Sequence, residues 1–292
     1  MSTYDFVIVG AGSSGSALAG RLATNNNTKI LLLEAGPKDY NPYIKLPIGY
    51  GKLFYDQSIN WKFYTEPEEN LNGKKMYWPR GKVLGGSSSI NAMVFARGSR
   101  NDFDEWGANA SGWAWDDIEP FFRKMETWKG KSDQSRGQSG PVRVTDVSTQ
   151  SHPLTDCFLE ATEQIGISKN PDYNTGNIEG SFVYQTNTHK GLRSSASNAY
   201  LSPIKKQKNL VVITRALVKK ILFEGARAIG VEYSHKGSPK IVHATKEIIL
   251  SAGALGSPQL LQISGIGPAE KLKDLNIKVL SDLPDVGLHL KD

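Results

Sequence analysis

Three glycines and one acid constrain this chain more than any other residues. Gly10, Gly12 and Gly15 follow a mostly apolar run, Tyr4–Val9, and precede a helical stretch, Ser16 to Ala23. Glu34 stands nineteen residues after the last glycine, at the end of a second apolar run, Lys29 to Leu33. Strand, glycine turn, helix and strand make a βαβ unit, whose crossover is right-handed and whose parallel strands are buried on both faces. In this arrangement the first glycine permits a tight turn, and the second lets backbone approach a pyrophosphate. The third allows close packing of helix on strand. The amino terminus of the helix offers free N–H groups and the positive end of its dipole to phosphate, while Glu34 can accept hydrogen bonds from ribose hydroxyls. A dinucleotide site is therefore expected. An acid at position 34 repels a 2′-phosphate, which disfavours NADP, but the motif alone does not separate NAD from FAD.

Composition narrows the setting. The chain has 292 residues, with 35 basic and 29 acidic side chains and a net charge of +6, spread without blocks. No nucleic-acid partner is expected from such a surface. The length suggests about two domains. Cys157 is the single cysteine, so neither an internal disulfide nor a multi-cysteine metal site is possible, and no metal is expected. Met1 to Asp5 leads straight into the first strand without a signal-like apolar segment. The longest apolar runs, such as Ile30 to Leu33 and Ile248 to Leu250, are far shorter than the roughly 18 residues of a membrane span. A cytoplasmic protein with no transmembrane segment is the expectation.

Along the rest of the chain, residues 37 to 80 are rich in aromatics and proline without a clear period, and read as a long surface excursion. Helices are expected at Asn101 to Trp106 and Trp115 to Glu126. A loop or hinge is expected at Lys129 to Gly140. Four short strands, Leu210 to Thr214, Leu217 to Phe223, Ala228 to Tyr233 and Lys240 to Ala244, predict an antiparallel meander. A buried strand, Glu247 to Ser251, and a helix opening at Ser257-Pro258 follow. No repeat at a fixed period is present.

A second constellation, Pro79 to Met93 (PRGKVLGGSSSINAM), joins adjacent glycines to three hydroxyls. By composition it suits a plain glycine–serine loop as well as a cradle of N–H groups for an anion or a ring edge. Gly81 to Asp104, however, resembles the first signature of the glucose-methanol-choline (GMC) flavoprotein oxidoreductases, and Gly253 to Gly267 (GALGSPQLLQISGIG) resembles their second. Asn60-Trp61 with Thr65-Glu66-Pro67, Gly191 to Ser194 with Ala199 to Leu201, and Asp285-Val286-Gly287 reinforce the likeness, which covers essentially the whole chain. Within the family the sequence is most similar to the choline and aliphatic alcohol dehydrogenase branch.

The resemblance implies an α/β fold: a Rossmann-like FAD-binding domain with a β-meander, plus an incomplete inserted α+β substrate domain. Residues 1–45, 75–145 and 205–292 would form the FAD domain, and 46–74 with 146–204 the lid and partial substrate domain. Gly10, Gly12, Ser13, Ser14 and Gly15 would hold the FAD pyrophosphate, and Glu34 with Ala35 the adenosine ribose. Val83, Gly86, Asn91, Ala92, Met93 and Val94 would line the ribityl chain and isoalloxazine, and Val218 would meet the adenine. Ile90 stands where some members carry a flavin-linking histidine, so the FAD is expected to be non-covalent.

Members oxidise an alcohol to an aldehyde, a histidine taking the hydroxyl proton while a hydride passes to flavin N5. That histidine falls beyond Asp292 in the resemblance, and none of His152, His189, His235, His243 and His289 matches it. His289 replaces a customary asparagine. The chain alone is therefore expected to be inactive, with a small-molecule alcohol as substrate and a complementary carboxyl-terminal chain as possible partner. The alternatives are a non-catalytic FAD-binding half-protein and a non-redox or photochemical member of the fold. Trp61, Phe63 and Tyr64 suit either a substrate entrance or simple packing.

Overall fold

Alternation along two short apolar strands explains how the first of two units is built. The structure is a computed structural model and describes residues 3–131 and 134–290. Met1, Ser2 and Lys291-Asp292, as well as Ser132 and Asp133 of the expected hinge, lie outside the described residues. In chain order the strands are β1 (Thr3–Val9), β2 (Ile30–Leu33), β3 (Phe63–Tyr64), β4 (Tyr77–Trp78), β5 (Glu126–Trp128), β6 (Val142–Val144), β7 (Thr188–His189), β8 (Leu192–Arg193), β9 (Leu210–Ile213), β10 (Ala216–Glu224), β11 (Arg227–His235), β12 (Ser238–Leu250), β13 (Ile266–Gly267) and β14 (Ser281–Asp282). The α-helices are α1 (Ser13–Leu22), α2 (Pro42–Lys45), α3 (Tyr50–Leu53), α4 (Arg100–Asn109), α5 (Trp115–Met125), α6 (Pro153–Gln164), α7 (Gly253–Ile263) and α8 (Ala269–Asp274). Two compact units result: residues 1–44, 48–90 and 195–292 form the first, and 45–47 with 91–194 the second. This division by compactness places residues 91–145 with the second unit and 48–74 with the first.

The first unit is built on a six-stranded sheet of order β10-β11-β12-β1-β2-β9. β1 lies between β12 and β2, parallel to both. Because successive side chains alternate across a strand, Ile8, Ile30 and Leu32 pack on one face with Ala19 and Ala23 at the α1 end. Val7, Val9, Leu31 and Leu33 pack on the other with Ala216, Ile221, Val231 and Leu260. Each Val, Leu or Ile side chain fully removed from water here stabilises the fold by about 1.5–3 kcal/mol. Burial on both faces is why these strands read as unbroken apolar runs.

Two expectations for the strands need correction. Leu210 to Thr214 does not begin the meander; β9 pairs in parallel with β2, from Ile30 opposite Leu210 to Leu33 opposite Ile213, at the far edge of the sheet. Arg215, with φ of 56°, turns the chain there, and the Ala216 N–H donates to the Glu34 carbonyl, so the meander is β10 to β12. The segments 240–244 and 247–251, expected as separate strands, form one 13-residue strand. Its first half is antiparallel to β11 and its second half parallel to β1. A register shift opposite Asp5 joins the halves, with the Thr245 hydroxyl bonded to the Asp5 carboxylate. Residues 37–80 likewise are more than a surface excursion, since Ile44, Leu53 and Ile59 form a small core with Val83 and Ile90.

In the second unit, Ser99 and Asp102 form a capping box at the start of α4. α5 follows with Trp115 buried against Phe103 and Phe122. β5 pairs in parallel with β6. Glu126, the first residue of β5, is fully buried between two arginines, at 2.5 Å from Arg97 and 2.8 Å from Arg136. Arg136 also pairs with Asp172 at 2.7 Å and lies 4.0 Å from the Trp128 ring centroid.

Candidate functional site

The glycine turn sits where β1 ends, and each of its glycines answers to a different neighbour. Gly10 has φ of +96°, and a Cβ on it would lie 2.5 Å from the Ser251 carbonyl oxygen. A Cβ at Gly15 would fall 2.0 Å from the Gly10 carbonyl oxygen, so this glycine lets α1 pack against the turn. Gly12 is unlike both, because its Cβ would find no protein atom nearer than the Gly86 Cα at 3.9 Å. The room it would fill belongs to a cavity of about 660 Å³, within the range of small-molecule sites. α1 begins at this wall without a side-chain cap and with no acid in its first turn, leaving N–H donors and the positive helix end for a ligand.

Glu34 closes another part of the wall. It is 6% exposed, and its carboxylate accepts from the Ala11 N–H at 2.9 Å and the Gly36 N–H at 2.8 Å. Burial pushes its pKa up to about 7, against the pull of those two N–H groups and of Lys82. The two backbone bonds tie the glycine turn to the end of β2, and oxygen lone pairs remain for hydroxyl donors.

Of the residues singled out in the sequence, Gly10, Gly12, Ser13, Ser14, Glu34, Ala35, Gly86 and Val218 line the cavity. Gly15 lies behind it, and Val83 is fully buried in the core with Ile44 and Ile90. Asn91, Ala92, Met93 and Val94 belong to the second unit. There the Asn91 side-chain oxygen accepts from Arg193 at 2.7 Å and from the Met93 N–H at 3.1 Å. Met93 is buried with φ of 63°, Ala92 is exposed, and Val94 forms a bridge with Thr186.

Arg80, Ser87 and the stretch from Leu250 to Ser257 also line the cavity; sequence reasoning notes the stretches that hold them but assigns these residues no site role. The last was detectable: β12, then Gly253 and Gly256, then the rest of α7 repeat the strand, glycine, helix order of β1 and α1, and α7 also starts without a side-chain cap on this cavity. Trp61 and Phe63, read as entrance or packing, line the cavity as a stacked pair with centroids 5.9 Å apart. Among the lining residues the ionisable side chains are Glu34 and Arg80, and none is a histidine.

The GMC oxidoreductase family model matches residues 4–292. The chain belongs to the GMC oxidoreductases. It is 44% identical over 297 residues to human mitochondrial choline dehydrogenase, covering 99% of this chain and 50% of that protein. It is 43% identical over 289 residues to the oxygen-dependent choline dehydrogenase of Rhizobium etli (strain CIAT 652), covering 99% of this chain and 52% of that one. Among solved structures, pyridoxine 4-oxidase from Mesorbium loti superposes with a TM-score of 0.93 at 34% identity, covering 97% of this chain and 56% of that one. An FAD-dependent oxidoreductase from Chaetomium thermophilum gives 0.90 at 35% identity, covering 96% and 51%. The chain thus spans about half the length of the relatives it matches. This GMC oxidoreductase chain has a Rossmann-like FAD fold, and its cofactor is FAD. No helix among the described residues is long and apolar enough to cross a membrane.

Proposed function

We propose that this chain is the cofactor-holding half of an FAD-dependent oxidoreductase that converts an alcohol to an aldehyde. The observation that carries the reading is the single cavity on which the uncapped start of α1, the side-chain-free Gly12 and the buried Glu34 all open. Pyrophosphate fits against Gly12, Ser13 and Ser14, where N–H groups and the helix end meet its charge. Glu34 takes the adenosine ribose through its remaining lone pairs, beside Ala35, and Val218 at the start of β10 borders the adenine. Gly86 belongs to the cradle of the flavin half.

The chemistry FAD supplies when bound is acceptance of a hydride at flavin N5 from the carbinol carbon of the alcohol, leaving an aldehyde. Residue 90 is a buried isoleucine, which has no nucleophile for a covalent link, so this chain's residues hold FAD by contacts alone. A base must take the hydroxyl proton, and the cavity lining offers no histidine for it. In our reading a complementary carboxyl-terminal chain brings that base and most of the alcohol pocket. Choline-like aliphatic alcohols are the substrate class favoured by the two choline dehydrogenases.

The test is the visible spectrum of the desalted 292-residue chain, followed by anaerobic addition of choline. The expected result is a retained flavin spectrum that choline does not bleach. A colourless protein that takes up no added FAD overturns the cofactor-holding role, and rapid bleaching shows that the base lies within this chain.

A further inference from the structure

Resting on the FAD reading of the cavity, we infer that Arg80 is the cation that meets the cofactor's pyrophosphate. The glycine motif gives it no role, and the Pro79 to Met93 stretch that contains it is read for its backbone N–H groups alone.

The placement follows from close backbone approaches. A Cβ on Gly81 would lie 2.3 Å from the Gly86 carbonyl, and a Cβ on Gly86 would lie 2.6 Å from the Gly12 Cα. These glycines bring the 80–81 backbone, the 86–87 turn and the start of α1 together at one wall of the cavity, and Arg80 borders it with Gly12 and Ser13. Arg80 is pinned on its main chain, its N–H donating to the Asn60 side-chain oxygen at 3.1 Å and its carbonyl accepting from Trp61 at 2.9 Å. Its side chain is held more lightly. One guanidinium nitrogen donates to the Pro79 carbonyl at 2.9 Å, and the group lies 4.9 Å from the Trp78 ring centroid.

Charge completes the argument. A guanidinium presents five N–H donors in a fork that suits phosphate. Among the described residues Arg80 forms no ion pair with a carboxylate. The only other ionisable group on the cavity, Glu34, is itself tied to Ala11 and Gly36. The first turn of α1 carries no acid. An anion carried into this cavity therefore meets a guanidinium that no carboxylate holds, beside helix N–H groups that no side chain caps.

The experiment measures the affinity of the FAD-free 292-residue chain for ADP, which carries the pyrophosphate, and for adenosine, which does not. Arg80→Met and Arg80→Lys are compared with the parent by calorimetry. Arg80→Met is expected to weaken ADP about ten- to a hundredfold, the scale of a lost charged hydrogen bond, and to leave adenosine unchanged. Arg80→Lys should recover part of the loss, since it keeps the charge without the fork. Equal ADP affinity in parent and Arg80→Met overturns the assignment, and so does an equal loss of ADP and adenosine, which marks a structural role. If the parent binds neither ligand, the cavity reading falls and Arg80 falls with it; if the parent binds both, only the Arg80 assignment is at stake.

Discussion

Gly12 and Gly15 look equivalent in the sequence, yet the structure gives them opposite sensitivities. A methyl group at Gly15 meets the Gly10 carbonyl oxygen at 2.0 Å, so Gly15→Ala is expected to destabilise the fold by about 1–3 kcal/mol, the usual cost of overpacking. Gly12→Ala should leave the melting temperature of the FAD-free chain within a degree or two of the parent, because only open cavity surrounds its Cβ. Gly12→Val should abolish flavin retention. Thermal melts and the flavin spectrum of the three variants check this, and a Gly12→Val protein that keeps stoichiometric FAD sinks the assignment. Glu34 makes a separate prediction. Its pKa rises from 4.5 in the unfolded chain to about 7 in the folded one, so the folded state holds a proton that the unfolded state releases between those values. Stability from this group is thus fully present below about pH 4.5 and lost as pH rises through 7, at a cost of about 3 kcal/mol. Denaturant titrations of the FAD-free chain should show the parent weakening between pH 5 and 8 more than Glu34→Gln does; parallel profiles refute the idea.

Among the elements, β9 shows how a strand finds a partner that local pattern does not reveal. Its four apolar residues fitted an antiparallel meander as well as a parallel edge. What places it is Asn209, just before it, whose side-chain amide donates to the carbonyls of Ala23, Asn25 and Thr28 in the turn between α1 and β2. Removing that amide takes a donor from the Ala23 and Thr28 carbonyls, while the Asn25 carbonyl still accepts from the Thr28 N–H, and Asn209→Ala is expected to cost about 1–3 kcal/mol. Urea unfolding measures it, and a loss below about 0.5 kcal/mol means that β9 is held by its ladder alone. The βαβ unit, by contrast, was legible from residues 4 to 34, because burial on both faces imposes apolar runs and the glycines mark the turn. The long β12 was not legible, since the bulge opposite Asp5 depends on a strand more than 200 residues away.

For the whole molecule, two units with separate cores imply separable stability. In the second unit, the buried Glu126 carboxylate pairs with both Arg97 and Arg136, the latter shared with Asp172, and accepts from the Gly137 N–H. Glu126→Gln leaves the buried Arg97 guanidinium without its carboxylate partner, while Arg136 keeps Asp172, at an expected cost of about 3–5 kcal/mol. Hydrogen exchange should then quicken at β5 and β6 while β1 and β2 stay protected. Uniform quickening across both units shows instead that they unfold as one.

The sequence alone made the βαβ unit legible, through apolar runs and a glycine turn, and the resemblance of two long signatures pointed to the family and to FAD. Tertiary structure alone decided which of those residues share a cavity. Arg80, Trp61 and the start of α7 reach it from separate stretches of chain. Val83, quoted in the same signature as Gly86, turns into a core instead. Side-chain direction and the meeting of distant backbones, such as Gly86 on Gly12, depend on packing that no local pattern encodes.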